Sequence, residues 1–317
     1  MLAACGSTVN PTRPAGRAAK LAQWTPYVHV KRPLDLAGPR ADGSIVLAAA
    51  GRVWLLARSG AVMRFAGGYG SPGGEEPYIA LSNNGCFGRG TVYAVRLHSG
   101  RGVTAISAGG LVRRFAGLSA PGLIDGITFD RTGAFGRRLL VTINAGSRTT
   151  VDAIGCHGAV RTITRSAPRV EGGVTVAPAT FGRFAGDLIA PGEVSGKVFA
   201  ITPSGATLLV ANSGLPHGND IGVESEGFVP AGAPRDALVA DRLTPGNRHP
   251  GDDVVLRIRA PALRAAGVRP GDLLVATEGG ALTDAIRCGA VRCRVARIAG
   301  GPAVAHLEGH IAFAGEP

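Results

Sequence analysis

Lysine is almost missing: Lys20, Lys31 and Lys197 are the only three in 317 residues, although Lys and Arg together number 34 against 22 Asp and Glu. Arginine carries the positive balance, and it is scattered, with no run of five or six basic residues. Binding to nucleic acid draws on clustered basic side chains that release counterions, and on aromatics for stacking. Aromatics make up only 5% of the chain, so no nucleic-acid partner is expected. No stretch of eighteen apolar residues occurs, and nothing reads as a membrane span. Also missing are C-x-x-C pairs, the Gly-x-Ser-x-Gly elbow, the phosphate loop and the dinucleotide fingerprint, which sets aside structural zinc and three large enzyme classes.

What is plentiful is glycine (49) and proline (21), punctuating short runs of Val, Ile, Leu and Ala. No long segment shows a 3.6-residue apolar period, so many short strands joined by turns are expected, and the class is all-β. A repeat sharpens this. Gly60-Ala-Val-Met-Arg-Phe65 returns as Gly110-Leu-Val-Arg-Arg-Phe115, Gly158-Ala-Val-Arg-Thr-Ile163, Gly205-Ala-Thr-Leu-Leu-Val210 and Gly289-Ala-Val-Arg-Cys-Arg-Val295. The glycines stand 50, 48, 47 and then 84 residues apart. A period in this range is the signature of a β-propeller, with the glycine phrase as the outermost strand of each blade.

Dividing the span from about 30 to 314 by that period predicts six blades, with a degenerate one around Leu238 to Ala276; the alternative is five blades with an insertion. Inner strands are expected at Pro77 to Leu81, Gly126 to Asp130, Gly172 to Ala177, Ile221 to Glu224 and Gly309 to Phe313. Ser44 to Ala49, Arg52 to Leu56 and Val62 to Phe65 lack an inner strand, and Gly309 to Phe313 lacks outer ones. Pairing these N- and C-terminal strands in one blade would close the ring and remove open edges.

Leu2-Ala3-Ala4-Cys5 resembles a bacterial lipobox, in which the cysteine carries lipid, and the Pro-, Ala- and Thr-rich stretch after it reads as a tether. Residues 1–32 are therefore expected to be a lipobox-like start and flexible tether, and 33–317 a single propeller domain. The remaining Cys86, Cys156, Cys288 and Cys293 permit two disulfides outside the cytosol. Cys288 and Cys293 flank Gly-Ala-Val-Arg, a tight turn, so a bridge across that hairpin is expected, while the pairing of Cys86 and Cys156 is left open. The expected location is the bacterial cell envelope, lipid-anchored or secreted, with the membrane reached only through the lipid. A monomer is expected.

Acids or amides stand just before the expected inner strands: Glu76, Asp125, Glu171, Asp220 and Glu308, with Asn219 and His310 beside them. In a propeller these positions converge on one funnel, where several carboxylates repel unless protons or a cation intervene. Glu76, Asp125, Glu171, Asn219, Asp220 and Glu308 are thus candidate ligands of a divalent cation, calcium by their hard oxygens. Asp125 and His217 are candidate bases. The plainer role for each acid is to hold the loop before it through backbone amides. Glu224 and Glu226 read as solvated strand residues.

Asp125-Gly126-Ile127-Thr128-Phe129-Asp130, Glu171-Gly172-Gly173 and Leu215-Pro-His-Gly-Asn219 resemble motifs of the six-bladed NHL-repeat and gluconolactonase (regucalcin-like) superfamily. Gly173 stands where that family has proline, and Asp125 precedes Glu171 where the family's aspartate follows. The resemblance implies a divalent ion held by Glu171, Asn219 and Asp125, with Asp125 doubling as general base in lactone hydrolysis. Two functions stay open: binding of a small molecule, glycan or protein at the funnel, or metal-dependent hydrolysis of a lactone or ester.

Overall fold

A computed structural model describes residues 20–72, 76–98, 100–233 and 235–315. The lipobox cysteine, Cys5, lies outside them. The chain folds as an all-β propeller. Four discrete antiparallel blades come in chain order. The first contains Pro33–Ala37, Ile45–Ala49, Arg52–Leu56 and Val62–Phe65; the second Ile79–Leu81, Val92–Arg96, Gly102–Ile106 and Val112–Gly117. The third contains Leu123–Phe129, Leu139–Ala145, Arg148–Ile154 and Val160–Pro168; the fourth Thr175–Val176, Leu188–Gly192, Lys197–Ile201 and Thr207–Asn212.

The repeated glycines make the turns into the outer strands. Gly60, Gly110, Gly158 and Gly205 have φ between 84° and 89°. Each closes the same pair of bonds, such as the Gly60 amide to the Ala57 carbonyl and the Ala57 amide to the Ala61 carbonyl. This is a hairpin built on a turn whose last residue is left-handed, a conformation glycine adopts without a Cβ penalty. The fifth phrase differs, because the amide of Gly289 bonds to the Arg292 carbonyl in a tighter turn that the Cys288–Cys293 disulfide spans. Cys86 and Cys156 form a second disulfide between the second and third blades.

The remaining strands form one nine-stranded sheet, which corrects the expectation of six separate blades and that of five with an insertion. In it Val223–Phe228, Leu273–Thr277, Thr283–Cys288 and Cys293–Gly300 pair antiparallel, with Ala22–Gln23 added in parallel at the outer edge. Leu307–Gly315, Arg235–Asp241, Val254–Ile258 and Thr25–His29 form the other antiparallel stretch. The two join where Glu226 pairs in parallel with His310. Gly227 permits this approach, since a Cβ there would run into the Ile311 carbonyl.

The 84-residue glycine spacing now has a cause. After Val223–Phe228 the chain leaves to build two strands and the helix Ala260–Ala265, then returns to pair Leu273–Thr277 with the strand it left. The expected closure is corrected as well. Gly309 to Phe313 does not pair with Ser44 to Ala49, because Pro33–Ala37 already fills that inner position. A strand carrying Pro and Asp reads poorly from propensity. Asp35 earns its place by tertiary bonds: it is fully buried and accepts from the amides of Leu36, Ile79 and His310. Residues 22–29, expected to be part of a flexible tether, instead lie in the sheet, and Trp24 Nε1 donates to Thr283 Oγ1 at 2.7 Å.

Inner strands surround a common axis, each touching the next, with Pro33–Ala37 against both Leu307–Gly315 and Ile79–Leu81. Apolar side chains fill the space between sheets, as where Val46, Ala48 and Val53 meet Ile79, Val92 and Ile106. Each such fully buried Val or Ile contributes about 1.5–3 kcal/mol.

Candidate functional site

Acid–glycine pairs begin the inner strands, and the glycine explains how these strands come close enough to share an axis. A Cβ on Gly126 would stand 3.0 Å from the Gly172 carbonyl, one on Gly172 2.7 Å from the Glu224 carbonyl, and one on Gly309 2.6 Å from the Leu34 carbonyl. Each preceding acid, Asp125, Glu171 or Glu308, is delivered to the same end of the axis. Glu76, Glu193, Glu224 and Glu278 join them there, as the mutual repulsion that raises several of these acids requires.

Within the cluster, Arg242 Nη1 donates to Glu76 Oε1 at 2.7 Å and to Glu308 Oε1 at 3.2 Å. The Tyr78 hydroxyl donates to Glu224 Oε1 at 2.8 Å and lies 3.3 Å from Glu308 Oε2. His306 Nε2 stands 2.9 Å from Glu278 Oε1 and 3.5 Å from Glu308 Oε1. Asn144 Nδ2 bridges Asp125 Oδ2 and the Val170 carbonyl, and Arg169 pairs with Glu171 at 2.9 Å. Seven carboxylates (Glu76, Asp125, Glu171, Glu193, Glu224, Glu278, Glu308) thus face three cationic groups, Arg169, Arg242 and His306.

Burial and crowding set the protonation. Burial, then the neighbouring Glu171, pushes Glu193 up to about 8. Burial also raises Asp125 and Glu224 well above the carboxylate range, and lifts Glu76 and Glu278. Glu308 goes the other way: burial opposes ionisation, but the bond from His306 and the Arg242 charge hold it below its ordinary value. Burial pulls His306 down, yet Glu278 and Glu308 outweigh it and raise the imidazole to about 10. The expected open funnel is largely filled. Only Glu76, Arg169, Glu171 and Arg242 present appreciable surface, with the Glu76 side chain 35% exposed.

Four of the expected ligands, Glu76, Asp125, Glu171 and Glu308, therefore share one neighbourhood. Asn219 and Asp220 sit exposed on a rim loop, where the Asp220 amide donates to Glu193 Oε1 at 2.6 Å. His217 is also exposed, packs over Gly196 and contacts the Leu215 carbonyl at 3.3 Å. Glu224 and Glu226, expected to be solvated, are buried at 4% and 0%. Tyr78, Arg242, Glu278 and His306 were not legible as site residues, because none belongs to the repeated acid–glycine position.

Ligand atoms of Glu278, His306 and Glu308 all lie within 4.8 Å of one another, a spacing at which one metal ion can be shared. Cys86, Cys156 and His157 also cluster, but the two cysteines are consumed by their disulfide. The buried triad fits a divalent ion in spacing, with binding releasing the proton that His306 otherwise holds. Its imidazole suits zinc, manganese or iron better than calcium, which prefers an all-oxygen shell.

No protein-family model and no curated protein matches the chain. Among solved structures, a gluconolactonase from Xanthomonas campestris aligns at 12% identity over 96% of this chain and 95% of its own, with a TM-score of 0.48. A streptogramin B lyase aligns at 12% over 89% of each chain, TM-score 0.48. An inactive virginiamycin B lyase from Staphylococcus aureus with quinupristin aligns at 17% over 78% of this chain and 77% of its own, TM-score 0.44. Likenesses this distant carry no argument about chemistry, and the reading of this chain rests on its own residues.

Proposed function

We propose that the protein is a ligand-binding propeller working outside the cytoplasm, and that it holds a divalent metal ion at the carboxylate end of its axis through Glu278, His306 and Glu308. The observation that carries this is the buried triad set among more carboxylates than nearby cations can balance. The bound ion would relieve that repulsion and offer open coordination to an oxygen-bearing small molecule entering past Glu76 and Arg242. Two disulfides support the extracytoplasmic setting, since such bridges persist in oxidising compartments.

Calorimetric titration of chelator-treated protein with Mn2+, Zn2+ and Ca2+ tests the proposal. One site per chain, weaker for Ca2+ and lost in both Glu278→Gln and His306→Gln, is the expected result. Absence of binding by all three ions would leave His306 as an internal counter-cation and overturn the reading.

A second reading, hydrolysis of a lactone or ester, is favoured by Glu193. Held protonated up to about pH 8 beside the Glu171 carboxylate, it forms an acid paired with a potential base. Metal-loaded protein assayed on a panel of γ- and δ-lactones should then show turnover that Glu193→Gln removes without altering metal affinity; no turnover on the panel returns the site to binding alone.

A further inference from the structure

The inner strands run in one direction, from the carboxylate cluster to the opposite end of the axis. There they enclose a cavity of about 660 Å3, within the range of small-molecule sites. Its walls are apolar, with Leu36, Ile79, Ile127, Phe129, Phe228 and Phe313 among them. Glu226, His310, Arg131, Arg235 and three threonines interrupt this character. Glu226 is 0% exposed, lines the cavity, and has no hydrogen-bond partner at either carboxylate oxygen; the Thr175 amide lies near enough to favour its charge without reaching hydrogen-bond geometry.

Leaving a buried carboxyl with no partner costs free energy unless something else bonds to it. Glu224, two residues earlier, shows the alternative: it is equally enclosed but takes the Tyr78 hydroxyl. The outer part of the cavity carries the opposite charge. Arg131 and Arg235 line it, and the buried Nε of Arg235 has no partner either. Glu226 lies on the strand Val223–Phe228, and Pro230, just beyond that strand, also lines the cavity.

We propose that this cavity is a second ligand site, separate from the carboxylate cluster, for an elongated amphipathic acid. Its hydrocarbon body packs on the apolar walls, a hydroxyl or ammonium at its inner end donates to Glu226, and its carboxylate meets Arg131 and Arg235. An unpartnered carboxyl and an unpartnered guanidinium nitrogen on the wall of one largely apolar cavity specify such a molecule more closely than a purely apolar or purely charged one.

Calorimetry on the disulfide-bonded chain in EDTA, with 10-hydroxydecanoate, 10-aminodecanoate and decanoate as probes, tests it. The two substituted acids should bind one per chain at least about tenfold tighter than decanoate. Glu226→Gln should abolish the preference for the amino acid over decanoate, and Arg131→Ala with Arg235→Ala should weaken all three. No binding by any probe, or a preference unchanged in Glu226→Gln, would overturn the site. Should Glu226→Gln not fold, the surface arginine variant decides, equal affinity in it being the overturning result. Because the chelator is present throughout, failure of the metal reading leaves this outcome untouched.

Discussion

Asp35 concentrates more of the ring's closure than any acid at the carboxylate end. Its two oxygens take the amides of Leu36, Ile79 and His310 and the His310 Nδ1 at 2.9 Å, so one side chain joins the first blade, the second blade and the C-terminal strand. Asn in its place keeps the volume but turns an amide group toward donors. Asp35→Asn should therefore cost about 3–5 kcal/mol, the usual penalty for breaking a buried charged network, in urea unfolding at pH 7. A cost under about 1 kcal/mol would mean that the three strands hold together without it. Nothing local marked Asp35 as important, since a lone Asp in Pro-Leu-Asp-Leu-Ala reads as a loop residue. Glu308 was legible because it precedes a glycine at a repeated position.

Among elements, Leu307–Gly315 depends most on a single backbone choice. Gly309 has φ of 68°, and a Cβ there would stand 2.6 Å from the Leu34 carbonyl, which is backbone and yields little. Gly309→Ala combines left-handed strain with a clash and should cost at least about 2 kcal/mol. Gly232, with φ of 92° and open space around it, is the control: Gly232→Ala should show the strain alone. Equal losses in the two variants would show that close approach at the axis contributes nothing. The outer-strand hairpins were legible as elements because their turn needs a glycine at one fixed offset. The strand Arg235–Asp241 falls at the start of the region expected to hold a degenerate blade, and its pairing with Leu307–Gly315 was not legible, since the positions between carry no local mark of it.

At the scale of the whole molecule, the two disulfides make unequal contributions. Cys86–Cys156 closes a separation of 70 residues and Cys288–Cys293 one of 5. Loop-closure entropy assigns them about 4 and about 2 kcal/mol. The double variant Cys86→Ser with Cys156→Ser should accordingly lower the melting temperature more than Cys288→Ser with Cys293→Ser; the reverse order would place the main constraint in the hairpin. Stability should also depend on pH. Glu193 titrates at about 8 in the folded chain against an ordinary 4.5, so the folded state binds the proton more tightly. Its contribution is full below pH 4.5 and is lost as pH rises through about 8, and the raised Asp125 and Glu224 act in the same direction. Metal-free protein should melt progressively lower from pH 5 to pH 8.5. A cation replaces those protons, so added Mn2+ should raise the melting temperature more at pH 8.5 than at pH 5. Equal shifts at both values would separate the ion from the carboxylate charge.

From the sequence alone came the all-β class, the hairpin turns at Gly60, Gly110, Gly158 and Gly205, the expected bridge from Cys288 to Cys293, and acids placed at the start of inner strands. Each is written in neighbouring residues, because a turn or a strand alternation constrains only the few positions around it. Tertiary structure decided which strands share the nine-stranded sheet, that Arg242 and His306 fill the expected funnel, and that Glu226 faces a chamber at the other end of the axis. Those contacts join residues as far apart as Asp35 and His310, where chain order offers no period to read and only packing determines which side chains meet.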